Sequence, residues 1–145
     1  MEKVIFSAKK KKGETRVNKE WIVCFVVVLA VIITDLVTQN YTKNSVETLG
    51  DKLQILKEEL GKEEVDKDNV KMQIEDIKKE WKEKYEKLAY FIEHDELEKV
   101  ETELTSLEAH VDIEEYDHAV PELEKGEFIL NHIKDKFKLD IKNIF

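Results

Sequence analysis

The sequence predicts an all-α protein with a single N-terminal transmembrane helix followed by a small antiparallel bundle of three to four helices. Turn-forming residues are scarce, with 4 Gly and 1 Pro in 145 residues. Charged residues make up 39% of the chain, and most are Glu and Lys, which favour helices. The third observation is one long apolar run near the N-terminus. Because a β-sandwich needs many more turn residues, long helices joined by short connections are expected.

The apolar run extends from Trp21 to Val37 and reads WIVCFVVVLAVIITDLV. As a helix it would be about 25 Å long, close to the lower limit for crossing a bilayer. A cleaved signal peptide is the alternative, but the long basic head and the lack of a small-residue cleavage site argue against it. We therefore assign residues 1–20 to a basic cytoplasmic tail, 21–38 to an uncleaved anchor and 39–145 to a separate acidic domain.

The charges flanking the run predict its orientation in the cell membrane. Only Lys43 lies shortly after the run. Before it, in contrast, lies a basic cluster of Lys9, Lys10, Lys11, Lys12, Arg16 and Lys19. The positive-inside rule then places the N-terminus in the cytoplasm and the C-terminal domain outside. Asp35 lies near the outer end of the run, where its carboxylate can reach headgroups or water. An intramembrane contact with a polar group of another membrane protein is the alternative role of Asp35.

The two parts of the chain carry opposite charge. Residues 1–40 hold seven Lys/Arg against four acids, a net of +3, whereas residues 41–145 hold 17 Lys against 29 acids, a net of −12. A surface this acidic repels phosphates, so no nucleic-acid partner is expected. Cys24 is the single cysteine, which excludes an intramolecular disulfide.

Four sets of apolar residues after Tyr41 recur at helical spacing and predict four amphipathic helices. They are Leu49, Leu53, Leu56 and Leu60; Val70, Ile74, Ile77, Trp81, Tyr85, Leu88 and Ile92; Leu97, Val100, Leu104, Leu107 and Val111; and Val120, Leu123, Leu130, Ile133 and Phe137. A coiled-coil dimer is an alternative because the spacing is close to heptad repeats. The breaks at 61–69, 93–95 and 111–113 favour the bundle.

The junction residues predict where the later helices begin. Asp95 followed by Glu98 has the spacing of a capping box, so a helix is expected to start there, with His94 as a junction residue. Asp112 is interpreted in the same way, as the N-terminal cap of the following helix. Pro121 predicts a kink or a late start in the last helix.

The sequence contains no Gly-rich phosphate loop and no G-x-S-x-G, H-E-x-x-H or C-x-x-C motif. We therefore expect no enzyme and no cofactor. One set of residues has metal-like spacing: His94 with Glu98, and Glu114, His118 and Glu122. In such an acidic chain these spacings also arise by chance, and we interpret them as solvated faces and caps rather than as metal ligands.

Four aromatic residues fall near the end of the second predicted helix: Trp81, Tyr85, Tyr90 and Phe91. Core packing at a helix junction is the expected role of this group. A ligand pocket is the alternative.

Two stretches, WKEKYEKLAYFIEHDELEKVETELTSLEAHV and LNHIKDKFKLDIKNIF, resemble domain of unknown function 4363. This is an uncharacterised family of small, membrane-anchored bacterial proteins, common in spore-forming Gram-positives. The resemblance covers most of residues 40–145, and the long basic tail departs from it. It implies one membrane span and an all-helical extracytoplasmic domain, and it supplies no activity.

The resemblance also suggests that His94, Asp95, His132 and Phe145 meet in space. If the C-terminal tail packs against the junction at 93–97, these residues form a structural polar cluster. Such a cluster specifies a fold without catalysis.

These observations predict a non-enzymatic accessory or interaction module for another membrane or envelope protein, with a spore-related membrane as one setting. A homo-oligomer remains open. The alternative is a domain that binds a metal ion or a cationic ligand through His94, Glu98 and His118.

Overall fold

The computed structural model describes residues 14–137. Four α-helices account for most of this part of the chain: α1 (Glu14–Leu60), α2 (Lys67–Leu88), α3 (His94–Asp112) and α4 (Tyr116–Lys136). No strand occurs among the described residues. The predicted all-α class and the order of one long apolar helix before three shorter ones are confirmed.

The chain divides into two compact units, with the boundary between Val37 and Thr38. In the first unit, every side chain from Trp21 to Val37 is exposed. Helix α1 contains an 18-residue window with a mean hydropathy of 2.6, so it is long and apolar enough to cross a membrane.

The second unit is a bundle formed by the last part of α1 together with α2, α3 and α4. Ion pairs join each helix to its neighbours: Lys52 with Asp76 between α1 and α2, Lys71 with Asp112 between α2 and α3, Lys136 with Glu96 between α3 and α4, and Lys57 with Glu124 between α1 and α4. The connections at 61–66, 89–93 and 113–115 are short. Short connections between neighbouring helices produce an antiparallel up-down-up-down order.

The apolar sets predicted from the sequence form the core of this bundle. Leu56, Val70, Leu97, Leu107 and Ile133 have no accessible surface. The other buried apolar residues are Val46, Leu49, Leu53, Leu60, Ile74, Ile77, Trp81, Leu88, Ile92, Val100, Leu104, Val111, Ala119, Leu123 and Leu130. Tyr85, Val120 and Phe137 were predicted in the same sets but are only partly buried, because they lie at the edge of the core.

The start of α3 differs from the prediction. The helix begins at His94, and its N-cap is the extended residue Glu93, which makes no side-chain capping bond. Asp95 therefore lies inside the first turn, and its predicted capping box with Glu98 is wrong. As an acid in the first turn, Asp95 instead interacts with the positive end of the helix dipole. By contrast, Asp66 caps α2 and accepts a hydrogen bond from the backbone N–H of Asn69 at 3.1 Å.

The start of α4 also differs from the prediction. Asp112 is the last residue of α3 and caps no helix, and α4 begins at Tyr116 after the N-cap Glu115. Glu114 makes the reversal possible with a φ of 62°, a conformation that L residues rarely adopt. Pro121 lies inside α4, so the helix does not start late.

Candidate functional site: a groove between α2 and α3

An apolar groove runs along the outside of the α2–α3 pair and encloses about 710 Å³. This volume is typical of ligand and peptide pockets. We call it the Trp81 groove. The residues that line it are Lys78, Lys79, Trp81, Lys82, Tyr85 and Glu86 from α2, and Glu101 and Leu104 from α3.

Trp81 forms the floor of the groove. Its side chain is only 3% exposed, and the edge of its ring meets Tyr85 at 5.9 Å between ring centroids. Among the described residues, the buried indole N–H of Trp81 has no hydrogen-bond partner. A buried donor without a partner costs about 1–3 kcal/mol. Since that nitrogen has less than 1 Å² of accessible surface, a ligand in the groove would meet the apolar floor and not the donor.

The margins of the groove carry charges of both signs. Lys78 pairs with Glu108 of α3. Lys79 and Lys82 are exposed, and neither makes an ion pair with the described acids. Glu86 and Glu101 add carboxylates to the rim. A ligand that fits these margins is an apolar segment that carries charged residues of its own.

The residues of the predicted polar cluster are only partly placed. The imidazole of His94 stacks on Tyr85, with 6.4 Å between centroids and 2° between planes. Asp95 and His132 are exposed, and neither makes a hydrogen bond or an ion pair with His94 among the described residues. Phe145 lies outside the described residues, so the predicted cluster as a whole stays a prediction.

The residues of the metal-binding alternative do not form one site. His94 and Glu98 lie at the start of α3, whereas His118 lies beside His110 at the other end of that helix, with 5.6 Å between ring centroids. Helical rise separates the two ends by about 24 Å. Among the described residues, no group of three His, Cys, Asp or Glu side chains could hold a metal ion.

The pair of His110 and His118 was missed by sequence analysis. The connection at 113–115 brings these positions opposite each other, and His110 Nδ1 lies 3.4 Å from Glu115 Oε2. The two histidines lie at equal sequence distances before and after Glu114 in the α3–α4 turn, and this spacing could have revealed the pair. The spacing is informative only when the position of the turn is known.

A second charged cluster lies where α3 crosses α4. Glu103 packs over Gly126, and its carboxyl contacts Glu122, which is paired with Lys125 at 2.8 Å. Burial and the hydrogen bond to Glu122 raise the pKa of Glu103. The hydrogen bond from Lys125 lowers the pKa of Glu122. Because the two pKa values shift in opposite directions, the pair favours a form in which Glu103 keeps its proton while Glu122 is ionised.

The aromatic group predicted around α2 divides into a packed part and an exposed part. Phe91 lies between Tyr41 and Phe137, at 6.4 Å and 6.2 Å between ring centroids, with edge-to-face geometry. Tyr90 is 89% exposed and takes no part in this packing. The core role is thus seen for Trp81 and Phe91, whereas the ligand-pocket alternative stays a prediction, since only Trp81 and Tyr85 of the four line the groove.

Asp35 lies in the apolar part of α1, and its side chain is exposed. Its predicted contact within a membrane stays a prediction.

The fold and the groove define an all-α class of protein that joins one membrane-length apolar helix to a four-helix bundle with a lateral groove. The sequence profile of domain of unknown function DUF4363 matches residues 36–144. The chain therefore belongs to the DUF4363 family, and the predicted resemblance is confirmed. No curated protein and no solved structure matches the chain significantly.

Proposed function

We propose that this chain is a membrane-anchored, non-enzymatic interaction module. In this proposal, residues 21–38 cross the cell membrane, the basic tail stays in the cytoplasm, and the bundle lies on the extracytoplasmic side. There the Trp81 groove receives an apolar segment of another membrane or envelope protein. The proposal fits a family that the sequence resemblance places among bacterial, membrane-anchored proteins.

The observation that carries the proposal is the groove itself. Lys and Glu pair across neighbouring helices over much of the bundle surface, between exposed apolar side chains such as Met72 and Phe128. The Trp81 groove interrupts that surface with a tryptophan floor and a tyrosine wall in a groove of about 710 Å³. Aromatic residues that become buried on binding supply much of the energy at protein interfaces, and the partly exposed Tyr85 is placed to do so in this groove.

Site-specific photo-cross-linking in intact cells tests the proposed contact. A photoreactive amino acid replaces Lys82 in the groove, and the matched control replaces Phe128, which is 72% exposed on α4. An affinity tag at the N-terminus leaves the rest of the chain unchanged. We expect one abundant envelope protein to be captured from position 82 and not from position 128. Capture from both positions alike, or from neither, contradicts the groove as the contact surface.

An Asp35→Leu variant separates the groove from the anchor. If the photoreactive groove position captures the same protein after this substitution, the contact belongs to the bundle. Loss of capture with Asp35→Leu would place the contact in the membrane instead and overturn the role of the groove.

Cysteine labelling tests the proposed topology. In a Cys24→Ser background, a cysteine replaces Ile113, which is 63% exposed at the α3–α4 turn, or Lys9 in the basic tail. We expect an impermeant maleimide to label position 113 in intact cells and position 9 only after permeabilisation. The reverse pattern contradicts the predicted orientation.

A further inference from the structure

We infer that the end of the bundle formed by Tyr41 and the α2–α3 connection rests on the anionic lipid headgroups of the membrane. We call this surface the Tyr41 end. Tyr90 enters the headgroup layer there, and Lys84 and Lys87 bind lipid phosphates. The contact requires residues 21–38 to lie in the bilayer, and so it rests on the function proposed above.

The α2–α3 connection lies beside Tyr41, close in sequence to the apolar run. Phe91 in this connection meets the Tyr41 ring edge-to-face, with 6.4 Å between ring centroids. Tyr41 follows Val37, the last residue of the apolar run, by four positions. Even a fully extended chain covers at most about 14 Å over that distance, and the headgroup layer is about 5–8 Å deep on each side of a bilayer. The connection is therefore within reach of the headgroups.

The connection exposes one aromatic residue. Tyr90 is 89% exposed, although its neighbours Phe91 and Ile92 pack against the core. The interface between membrane and water accommodates both the apolar ring and the hydroxyl of a tyrosine, and tyrosine is enriched there. Tyr90 is thus the residue of this connection best suited to enter the headgroup layer.

Two lysines of α2 lie at the same end of the bundle. The ammonium groups of Lys84 and Lys87 are each 5.9 Å from the centroid of the Tyr41 ring. Lysines near a membrane surface are attracted to its anionic lipids. Because Tyr41 is within reach of the headgroups, these two ammonium groups are placed to bind lipid phosphates.

The charge distribution also favours this end of the bundle over the opposite end. Residues 82–93, around the α2–α3 connection, hold three lysines and three acids. Equal windows around the other two connections are acidic: residues 58–69 hold two lysines and six acids, and residues 108–119 hold five acids and no lysine. Anionic headgroups repel carboxylates, so the opposite end is kept away from the surface while the neutral Tyr41 end approaches it.

Fluorescence quenching of the full-length chain in vesicles tests the contact. In a Cys24→Ser background, the variant Glu93→Cys carries an environment-sensitive nitrobenzoxadiazole label in the α2–α3 connection. The matched control is Glu115→Cys, since Glu93 and Glu115 are both N-cap residues without a side-chain capping bond. The vesicles contain equal amounts of phosphatidylglycerol and phosphatidylcholine, with a nitroxide on some of the headgroups. We expect the nitroxide to quench most of the fluorescence at position 93 and little at position 115.

A third label reports the anchor separately. Val31 lies in the apolar run, and the variant Val31→Cys carries the same label in the same background. We expect a nitroxide deep in the acyl chains to quench this position. Quenching at position 31 without quenching at position 93 overturns the headgroup contact and leaves the proposed anchor standing. No quenching at position 31 overturns both.

Substitutions at the Tyr41 end identify the side chains responsible. Tyr90→Ser, and separately Lys84→Ser combined with Lys87→Ser, should each remove much of the quenching at position 93. Phe128→Ser, which removes an exposed aromatic ring from α4, should leave it intact.

The lipid composition tests the charge dependence of the contact. Vesicles of phosphatidylcholine alone should quench position 93 less, because this lipid carries no net charge. Unchanged quenching in those vesicles overturns the contact with anionic headgroups. Equal quenching at positions 93 and 115, or quenching that survives both the tyrosine and the lysine substitutions, also overturns the inference.

Discussion

At the scale of single residues, the bundle combines well-satisfied surface charges with a few strained or unpartnered groups. Exposed lysines pair with acids on neighbouring helices, as Lys52 does with Asp76 at 2.7 Å. That hydrogen bond lowers the pKa of Asp76, so the pair stabilises the fold above the ordinary carboxyl pKa and loses its effect as the pH falls through the lowered value. Such exposed pairs fix register more than they add stability. Among the described residues, the exceptions include the buried indole N–H of Trp81, which has no hydrogen-bond partner there, and the Glu103–Glu122 contact.

The Glu103–Glu122 contact predicts that Glu103→Gln stabilises the protein at neutral pH. Because the folded-state pKa of Glu103 is raised, its contribution is favourable at low pH and is lost as the pH rises through that pKa. At pH 7 two carboxylates then repel each other, whereas a Gln amide donates to Glu122. We expect urea unfolding to show a gain of about 0.5–1 kcal/mol at pH 7 and none at pH 4. The control Glu98→Gln, exposed on the same helix, should change neither value, and an equal gain at both pH values would contradict the repulsion.

At the scale of elements, the contact between α3 and α4 depends on a small residue. Gly126 is buried inside α4, where a Cβ atom would lie 3.6 Å from Glu103 Cβ. A methyl group therefore fits at ordinary contact distance, and a longer side chain does not. Glycine at position 126 therefore allows α3 and α4 to pack close together, although glycine itself makes α4 less stable than alanine would.

This geometry predicts opposite effects for two substitutions. Gly126→Ala should raise the free energy of unfolding by roughly 1 kcal/mol, since alanine favours the helix and its methyl group clashes with no neighbouring atom. Gly126→Leu should lower it by about 1–3 kcal/mol because the side chain must push α3 away. The control Gly50→Ala, where no heavy atom lies within 4 Å of the added Cβ, reports the propensity gain alone. Denaturant titration of the three variants measures these changes, and stabilisation by Gly126→Leu would refute the close approach.

At the scale of the whole molecule, the second unit has a core of its own. Its buried apolar residues all lie between Val46 and Ile133, and α1 supplies one of the four core faces. The apolar residues from Trp21 to Val37 contribute nothing to that core because they are all exposed. The last part of α1 is therefore a bundle helix in its own right.

A pair of adjacent substitutions tests this role of α1. Leu56 is fully buried, whereas its neighbour Ile55 is 58% exposed. Leu56→Ala should destabilise the bundle by about 2–5 kcal/mol through loss of core packing. Ile55→Ala, which removes a similar number of methyl groups, should cost no more than about 0.5 kcal/mol. Unfolding of the full-length chain in detergent, followed by circular dichroism, measures both, and equal effects would show that α1 does not pack on the bundle.

The sequence by itself determined the helical class, the apolar helix near the N-terminus, the family and nearly all of the core. These properties follow from local composition and from spacing along one helix, which the chain carries regardless of its neighbours. The tertiary structure alone decided where α3 and α4 begin, since both N-caps lack a side-chain bond and depend on where the chain reverses. It also decided which polar residues meet: His118 lies beside His110 and not beside His94, because antiparallel packing pairs residues that are distant from any common motif. The Trp81 groove belongs to the same category, since Trp81 and Leu104 have the spacing of core residues, and only the packing of α2 beside α3 places both in the lining of one groove.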